Sequence, residues 1–356
     1  DYVFEVEHHF LEEYSHSSAP ELMMAALSQR TKNIRLGPLV YLLPLYSPLR
    51  LIDEIAIEAE DLATGGRQTF LARNVVVATG GSPALPDGIA VEEGSRAFHA
   101  HHFLQRLERD YADHEAPHRF VVVGSGQSGA ELFYYLCTRY PKADVTAAIR
   151  RFAYKPVDES DFTNEIFFPQ HVDWVYSLPD GQREQVVDSF RDVNYAVVDQ
   201  PLIRKIYRFL YEQKVRGVER ARVRPYLELR QVVEQATSVT GRFEHRLSGE
   251  MVDLDADGMV LCTGYRWSRK HPLLAGLAES FLDDGRGSWQ VERDYRLATR
   301  PDLAAGVYVQ GYAEDTHGIS ETVLSLLPVR AQDIAESILE RAEAAAPVER
   351  LSRIRA

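Results

Sequence analysis

Residues 120–131, FVVVGSGQSGAE, constrain the fold of this chain more than any other stretch. The apolar run 120–123 reads as a buried parallel strand. It breaks at Gly124 into G-S-G-Q-S-G and passes into Ala130, Glu131, Leu132 and Phe133, a helical start. Strand, tight turn and helix in that order are the context a dinucleotide fingerprint needs. Gly124 permits the sharp turn. Gly126 lacks a side chain, so a pyrophosphate can approach the backbone. Gly129 lets the helix pack close to the strand. Ser125, Gln127 and Ser128 complete the loop. The helix N-terminus then offers free N–H groups and a partial positive charge to phosphates. An ordinary βα turn of small residues is the bland alternative.

The next strand, DVTAAI at 144–149, ends in Arg150 and Arg151. An NAD site usually carries an Asp or Glu at that point, for the ribose 2′-hydroxyl. Guanidinium groups there suit a 2′-phosphate, because Arg pairs with phosphate through a planar fork. NADPH is therefore favoured over NADH, although two arginines at a solvated strand end would look the same.

Composition excludes several classes. The chain has 356 residues, enough for two domains, with 45% hydrophobic and 26% charged residues. A formal charge of −13 argues against a nucleic-acid binder or a membrane-surface binder. Cys137 and Cys262 sit in no CxxC or metal-ligand spacing, which fits a reducing cytoplasm. No apolar run approaches the roughly 18 residues of a membrane span, and no signal peptide opens the chain. The start at Asp1, without Met, reads as a truncation.

Residues 1–57 read as strand (VFEVEHHF), helix (PELMMAALSQRT), strand (IRLGPLVYLLP) and helix (SPLRLIDEIAIEAE), the βαβα of a parallel sheet or barrel. TGGRQTF is a hairpin-like turn, and NVVVATGG a strand ending in glycine. Residues 152–179 read as irregular and aromatic. Residues 181–217 read as helices interrupted around NYAVVD. Residues 223–246 read as short strands with a turn at Thr240-Gly241. DGMVLCTGY and 307–311 are two further strands, and 319–341 a closing helix. His99, His101 and His102 read as a solvated loop rather than a metal site, and His317 as structural rather than a general base.

Six segments together carry a family resemblance over about 58–341. They are VVVATGG (75–81), GSGQSGAE (124–131), FTNEIFFP (162–169), NYAVVDQPLIRKIY (194–207), LCTGYR (261–266) and THGISETVLSLLPVRAQDIA (316–335). The chain resembles the flavin-dependent N-hydroxylating monooxygenases of L-ornithine or L-lysine in siderophore biosynthesis. The resemblance implies FAD and NADPH as cofactors, with the amino acid and O₂ as substrates. Reduced flavin activates O₂ and one oxygen passes to the neutral side-chain amine. It also implies roles for individual residues. Gly124, Ser125, Gly126, Gln127 and Ser128 match the NADPH phosphate loop, and Arg150 the residue that meets the 2′-phosphate. Asn164 and Asn194 match asparagines that bind the α-amino and α-carboxylate end of the substrate, with a turn or cap residue as the lesser reading of each. Ser320 matches a serine beside the flavin and the substrate amine, and could also cap the final helix. Thr79 and Gly80 fall where the family's strand passes the flavin.

Two departures qualify the resemblance. G-x-G-x-x-G occurs once in the chain, whereas the family carries a second, FAD-binding loop near its start. Residues 1–57 instead resemble the N-terminal portion of luciferase-like monooxygenases, with His8 or His9 at the position of a flavin-side histidine. The expected architecture is α/β: a luciferase-like βαβα fragment over 1–57, an incomplete FAD-binding domain over 58–118 and 247–345, and an inserted Rossmann-type NADPH domain with substrate segments over 119–246. The strands at 75, 257 and 307 are expected in the FAD part. The expected function is N-hydroxylation of ornithine, with lysine second. The alternatives are an NADPH-binding but catalytically silent chain and, last, a luciferase-like flavin enzyme. A homo-oligomer is left open.

Overall fold

A computed structural model describes residues 2–6, 35–40, 55–301, 303 and 305–345. In chain order the first strands are β1 (Tyr2–Val6), β2 (Arg35–Val40), β3 (Ile55–Glu60), β4 (Arg67–Ala72), β5 (Asn74–Val77), β6 (Ser82–Pro83), β7 (Ala97–His99) and β8 (Arg119–Val123). There follow β9 (Asp144–Ala148), β10 (Ala221–Arg224), β11 (Leu227–Glu234), β12 (Val239–His245), β13 (Met251–Ala256), β14 (Gly258–Leu261), β15 (Tyr265–Arg266) and β16 (Gly306–Val309). The chain divides into two compact units. One is Asp1–Gly80, Asn164–Asp188 and Trp267–Ala356; the other is Gly81–Thr163 and Ser189–Arg266.

The second unit is built on a five-stranded sheet in the order β10-β9-β8-β14-β7, with every pairing parallel. β8 alternates between two cores. Phe120 and Val122 face a layer containing Ala130, Phe133, Leu136 and Ile206, contributed by the helices Gln127–Arg139 and Gln200–Arg216. Val121 and Val123 face Leu227, Leu229, Phe243 and Met259 on the other side. A strand buried on both faces must be apolar throughout, which is why 120–123 carries no polar alternation. The second layer includes residues of an antiparallel sheet, β11-β12-β13.

The first unit contains the parallel pair β1 and β2, the hairpin β3–β4 and the parallel pair β5 and β16. Its core gathers Val75, Val77, Trp289, Tyr295, Leu297, Val307, Tyr308 and Ile334. The parallel pairing of β1 with β2 agrees with the βαβ expectation. The helix expected at 20–31, His8 and His9 lie outside the described residues.

Several expectations are corrected. The compact units change at 80/81, 163/164, 188/189 and 266/267, where the sequence reading places its boundaries at 118/119 and 246/247. The cause is β7 and β14: they hydrogen-bond into the sheet of β8, so they belong with the nucleotide half, and the strand at 257 leaves the FAD part. Residues 55–60 form a strand, not a helix. Their burial alternates along IAIEAE, and they pair with β4 across a turn in which Asp61 Oδ1 accepts the amide of Ala63 at 2.8 Å. Thr240 and Gly241 lie inside β12, and the turn is at 235–238, where the Gln235 amide donates to the Ser238 carbonyl. Glycine is needed at 241 for space, because a Cβ there would stand 2.5 Å from Met259 Cε. Residues 152–179, read as irregular, hold the short helices Asp161–Asn164 and Gln170–Ser177. The closing helix runs Leu327–Ala345 and is preceded by 3₁₀ turns at Ile319–Thr322 and Leu324–Leu326. Pro328 explains the late start: proline is tolerated in a first turn and breaks a helix interior.

Candidate functional site

In the second unit the chain leaves β8 through Gly124 at φ +141°, outside the range of a residue with a side chain. A Cβ at 124 would also overlap the Cys262 carbonyl oxygen, and one at Gly129 would stand 2.5 Å from the Gly124 carbonyl oxygen. These two glycines therefore set how tightly the turn closes and how close the helix lies to it. Gly126 acts differently from the expectation. Its missing side chain makes room for Ala196, whose Cα would lie 3.4 Å from a Cβ at 126. Ala196 itself takes φ 58°, so NYAVV bends over the loop.

Gly126 is the N-cap of the helix Gln127–Arg139 and provides no side-chain acceptor. A helix start without a side-chain cap keeps its first amides for a ligand. Arg150 follows β9, whose Ala148 accepts the Gly124 amide at 3.1 Å, so the arginine stands at the same end of the sheet as the loop. It is exposed and has no ion-pair partner among the described residues. Arg151 is committed instead: it reaches Asp192 at 3.4 Å and the Ala196 carbonyl at 3.3 Å. Of the two arginines, the structure leaves Arg150 available to a phosphate.

The Gln127 side chain turns away from a phosphate role. Its Nε2 donates to Glu131 at 2.8 Å and to Asp199 at 2.9 Å, and its Oε1 accepts the Asp199 amide at 2.9 Å. Asp199 is the N-cap of the helix Gln200–Arg216, so Gln127 anchors that helix to the loop. Gln127→Ala is expected to strip the Asp199 amide of its acceptor, destabilise the unit by about 1–2 kcal/mol and weaken NADPH only a few-fold. Urea unfolding and a binding titration would check this; a loss of NADPH as large as that of Arg150→Ala would instead make Gln127 a direct ligand. Asn194 ends the helix Asp180–Asn194, two residues before Ala196, and is half-buried.

The first unit brings other expected residues together. β5 and β16 run parallel with Val77 opposite Val309, so Thr79–Gly80 and 310–313 emerge side by side. Carboxyl ends of parallel strands are where open α/β sheets place ligands. Gly80 has φ +77° and open space where a Cβ would be. Thr79 Oγ1 lies 2.8 Å from the Tyr312 hydroxyl and 3.1 Å from His271 Nε2. Asn164 is half-buried and ends the helix Asp161–Asn164. The 3₁₀ turn Glu165–Phe167 that follows packs against Ile319–Thr322, which carries Ser320. Ser320 is buried and its carbonyl accepts from Arg330 at 3.0 Å; it does not cap the helix that starts at Leu327.

Sequence reasoning missed Glu321, Arg330, Tyr312 and His271. Glu321 is fully buried and its Oε1 accepts the Gly311 amide at 2.6 Å, which shapes the loop after β16. Burial pushes its carboxyl up to about 7, against the pull of Arg330 at 3.5 Å and the loop amides. The only sequence trace was an acid set in the apolar run ISETVL. His99 is buried with its ring bonded to the Gly264 carbonyl at 2.9 Å and to the His101 amide at 3.1 Å, a packed residue rather than a solvated one.

His317 is structural, as expected. It stacks on Tyr295 at 4.3 Å, and its Nε2–H donates to the Arg293 carbonyl at 3.0 Å. Burial lowers its pKa from 6.5 to about 3. The unfolded chain therefore takes up this proton first as pH falls. Stability from neutral His317 is complete above about 6.5 and is lost on acidification toward about 3. His317→Phe should be less stable at pH 7 but flatter between pH 7 and 4.5 in urea midpoints; a slope equal to that of wild type would contradict this account.

A strand–glycine loop–helix nucleotide site in an α/β chain defines a dinucleotide-dependent enzyme class, and similarity narrows it. The family model described as L-lysine 6-monooxygenase/L-ornithine 5-monooxygenase matches residues 50–267, and the chain belongs to this family. The match begins inside 1–57, earlier than the start at 58 that was expected. The chain is 35% identical to an L-ornithine N(5)-monooxygenase of Pseudomonas aeruginosa over 283 residues, 78% of this chain and 62% of that protein. It is 39% identical to one of Burkholderia cepacia over 272 residues, 75% of this chain and 60% of that protein. The chain thus spans about three fifths of the length of these relatives. The solved ornithine N-hydroxylase of Kutzneria sp. 744, described with reduced FAD, NADP⁺ and L-ornithine, superposes with a TM-score of 0.77 at 30% identity, covering 90% of this chain and 76% of that one. Among the described residues no helix is long and apolar enough to cross a membrane.

Proposed function

We propose that the chain is an NADPH- and FAD-dependent N-hydroxylase of the side-chain amine of L-ornithine, with L-lysine as the alternative substrate, acting in siderophore biosynthesis in the cytoplasm. The observation that carries the reading is the Gly124–Gly129 cradle, with its uncapped helix start and the exposed Arg150 at the next strand end, which has no ion-pair partner among the described residues. These groups fit a dinucleotide with a 2′-phosphate: backbone amides of 127–129 for the diphosphate and Arg150 for the extra charge. For a flavin the described residues offer the strand ends at Thr79–Gly80 and 310–313, where the open face of Gly80 admits a flat ring. A second glycine-rich cradle is not among them.

When bound, the flavin supplies the oxygen activation, and the protein supplies position and a dry surrounding. Asn164 and Asn194 would hold the charged end of the amino acid through amide donors and acceptors, and Ser320 would stand near its amine. The preference for ornithine rests on the names of the relatives at 35% and 39% identity.

The test is direct. The purified chain is mixed with FAD, desalted, and its visible spectrum recorded. NADPH oxidation and hydroxylamine formation are then followed with ornithine, lysine or neither. Bound flavin and ornithine-dependent hydroxylamine are expected. NADPH binding without retained flavin would replace this reading with that of a silent NADPH-binding chain.

A further inference from the structure

The ends of β5 and β16 are tied by a chain of hydrogen bonds whose direction is determined at every link. His271 is the N-cap of the 3₁₀ helix Pro272–Ser280, and its Nδ1 accepts the Leu273 amide at 3.2 Å. An amide cannot accept, so the ring proton of neutral His271 sits on Nε2 and is donated to Thr79 Oγ1 at 3.1 Å. Thr79 has one proton, and gives it to the Tyr312 hydroxyl at 2.8 Å. Tyr312 in turn donates to the Gly80 carbonyl at 2.7 Å. Each hydroxyl accepts once and donates once.

The Tyr312 ring has its own reasons to stay. It is 5% exposed, belongs to the core of its unit and meets Trp267 and His271 edge-on at 5.8 and 5.9 Å. Its hydroxyl is therefore free of packing duty. What the hydroxyl does is hold the carbonyl of Gly80, a left-handed residue next to open space, against the loop after β16. That loop is secured from its other side by Glu321, which takes the Gly311 amide. The relay thus holds the backbone conformation of a strand end that presents bare backbone at Gly80.

We propose that Tyr312, with His271 behind Thr79, is a positioning residue for the flavin ring: its hydroxyl holds the Thr79–Gly80 strand end in the shape against which the ring packs. This rests on the flavin-dependent reading proposed above.

The test compares Tyr312→Phe, Thr79→Val and Thr79→Ser in the full chain. FAD affinity is measured by quenching of flavin fluorescence, the bound flavin by its visible bands, and the fold by urea midpoint without FAD. Tyr312→Phe and Thr79→Val each remove one link, and should weaken FAD about 3–10-fold, the worth of a neutral hydrogen bond. Both should shift the bound-flavin bands, while Thr79→Ser keeps wild-type affinity and spectrum. Wild-type affinity and spectrum in Tyr312→Phe and Thr79→Val would overturn the positioning role while leaving the flavin reading intact. The same weakening in Thr79→Ser would overturn it too, since the hydroxyl is retained there. A wild-type chain that takes up no FAD would overturn the flavin reading itself, and the positioning role with it.

Discussion

Gly124→Ala should abolish tight NADPH binding and cost about 2–5 kcal/mol of stability in the nucleotide unit. Two independent penalties add. A φ of +141° strains any residue with a Cβ, and the new methyl would press into the Cys262 carbonyl oxygen, which is backbone and cannot swing aside. Cys262 follows β14, the neighbour of β8 in the sheet, so relief would require moving one strand end against another. Gly126→Ala provides the contrast. Its φ is −93° and its Cβ would meet Ala196 at 3.4 Å, an ordinary contact, so stability should fall by less than about 1 kcal/mol. Calorimetric titration with NADPH and urea unfolding of both variants check the pair. If Gly124→Ala bound NADPH like wild type, the loop would not be what holds the diphosphate.

Arg150→Ala should weaken NADPH by about 1–3 kcal/mol, roughly 10–100-fold, and leave NADH nearly unchanged. A guanidinium already engaged by a carboxylate gives less to a new phosphate, and Arg151 is engaged by Asp192, which Lys155 also meets at 2.9 Å. Arg150 is exposed with no such partner among the described residues. Arg151→Ala should therefore affect NADPH and NADH alike and modestly, by loosening the segment that crosses Gly126. Dissociation constants for both cofactors and both variants decide the matter. Equal loss of NADPH and NADH in Arg150→Ala would contradict contact with the 2′-phosphate.

The nucleotide half was legible in the sequence because its signals are local. The run FVVV needs only its own period to declare a strand buried on both faces, and G-S-G-Q-S-G follows it without a gap. The hairpin at TGGRQTF and the interruption at NYAVVD were legible for the same reason: turn residues act over a few positions. Local readings failed where tertiary pairing outweighs them. Residues 55–60 read as the end of a helix running on from the proline at 48, yet their burial alternates and they pair with 67–72 as a strand. Gly241 looks like a turn residue and is a strand residue that gives way to Met259.

The sequence alone pointed to a dinucleotide cradle, favoured a cofactor with an extra phosphate, and carried the family resemblance. Each of these depends on residues close together in the chain, where backbone conformation and charge are set by neighbours. The tertiary structure decided which strands share a sheet, which of two adjacent arginines is available, and that Gln127 is an anchor. It also decided that Thr79, His271 and Tyr312, residues up to 233 positions apart, form one relay. Those outcomes depend on which distant side chain arrives to pair with or bury a given group, and periodicity and spacing along the chain contain no record of it.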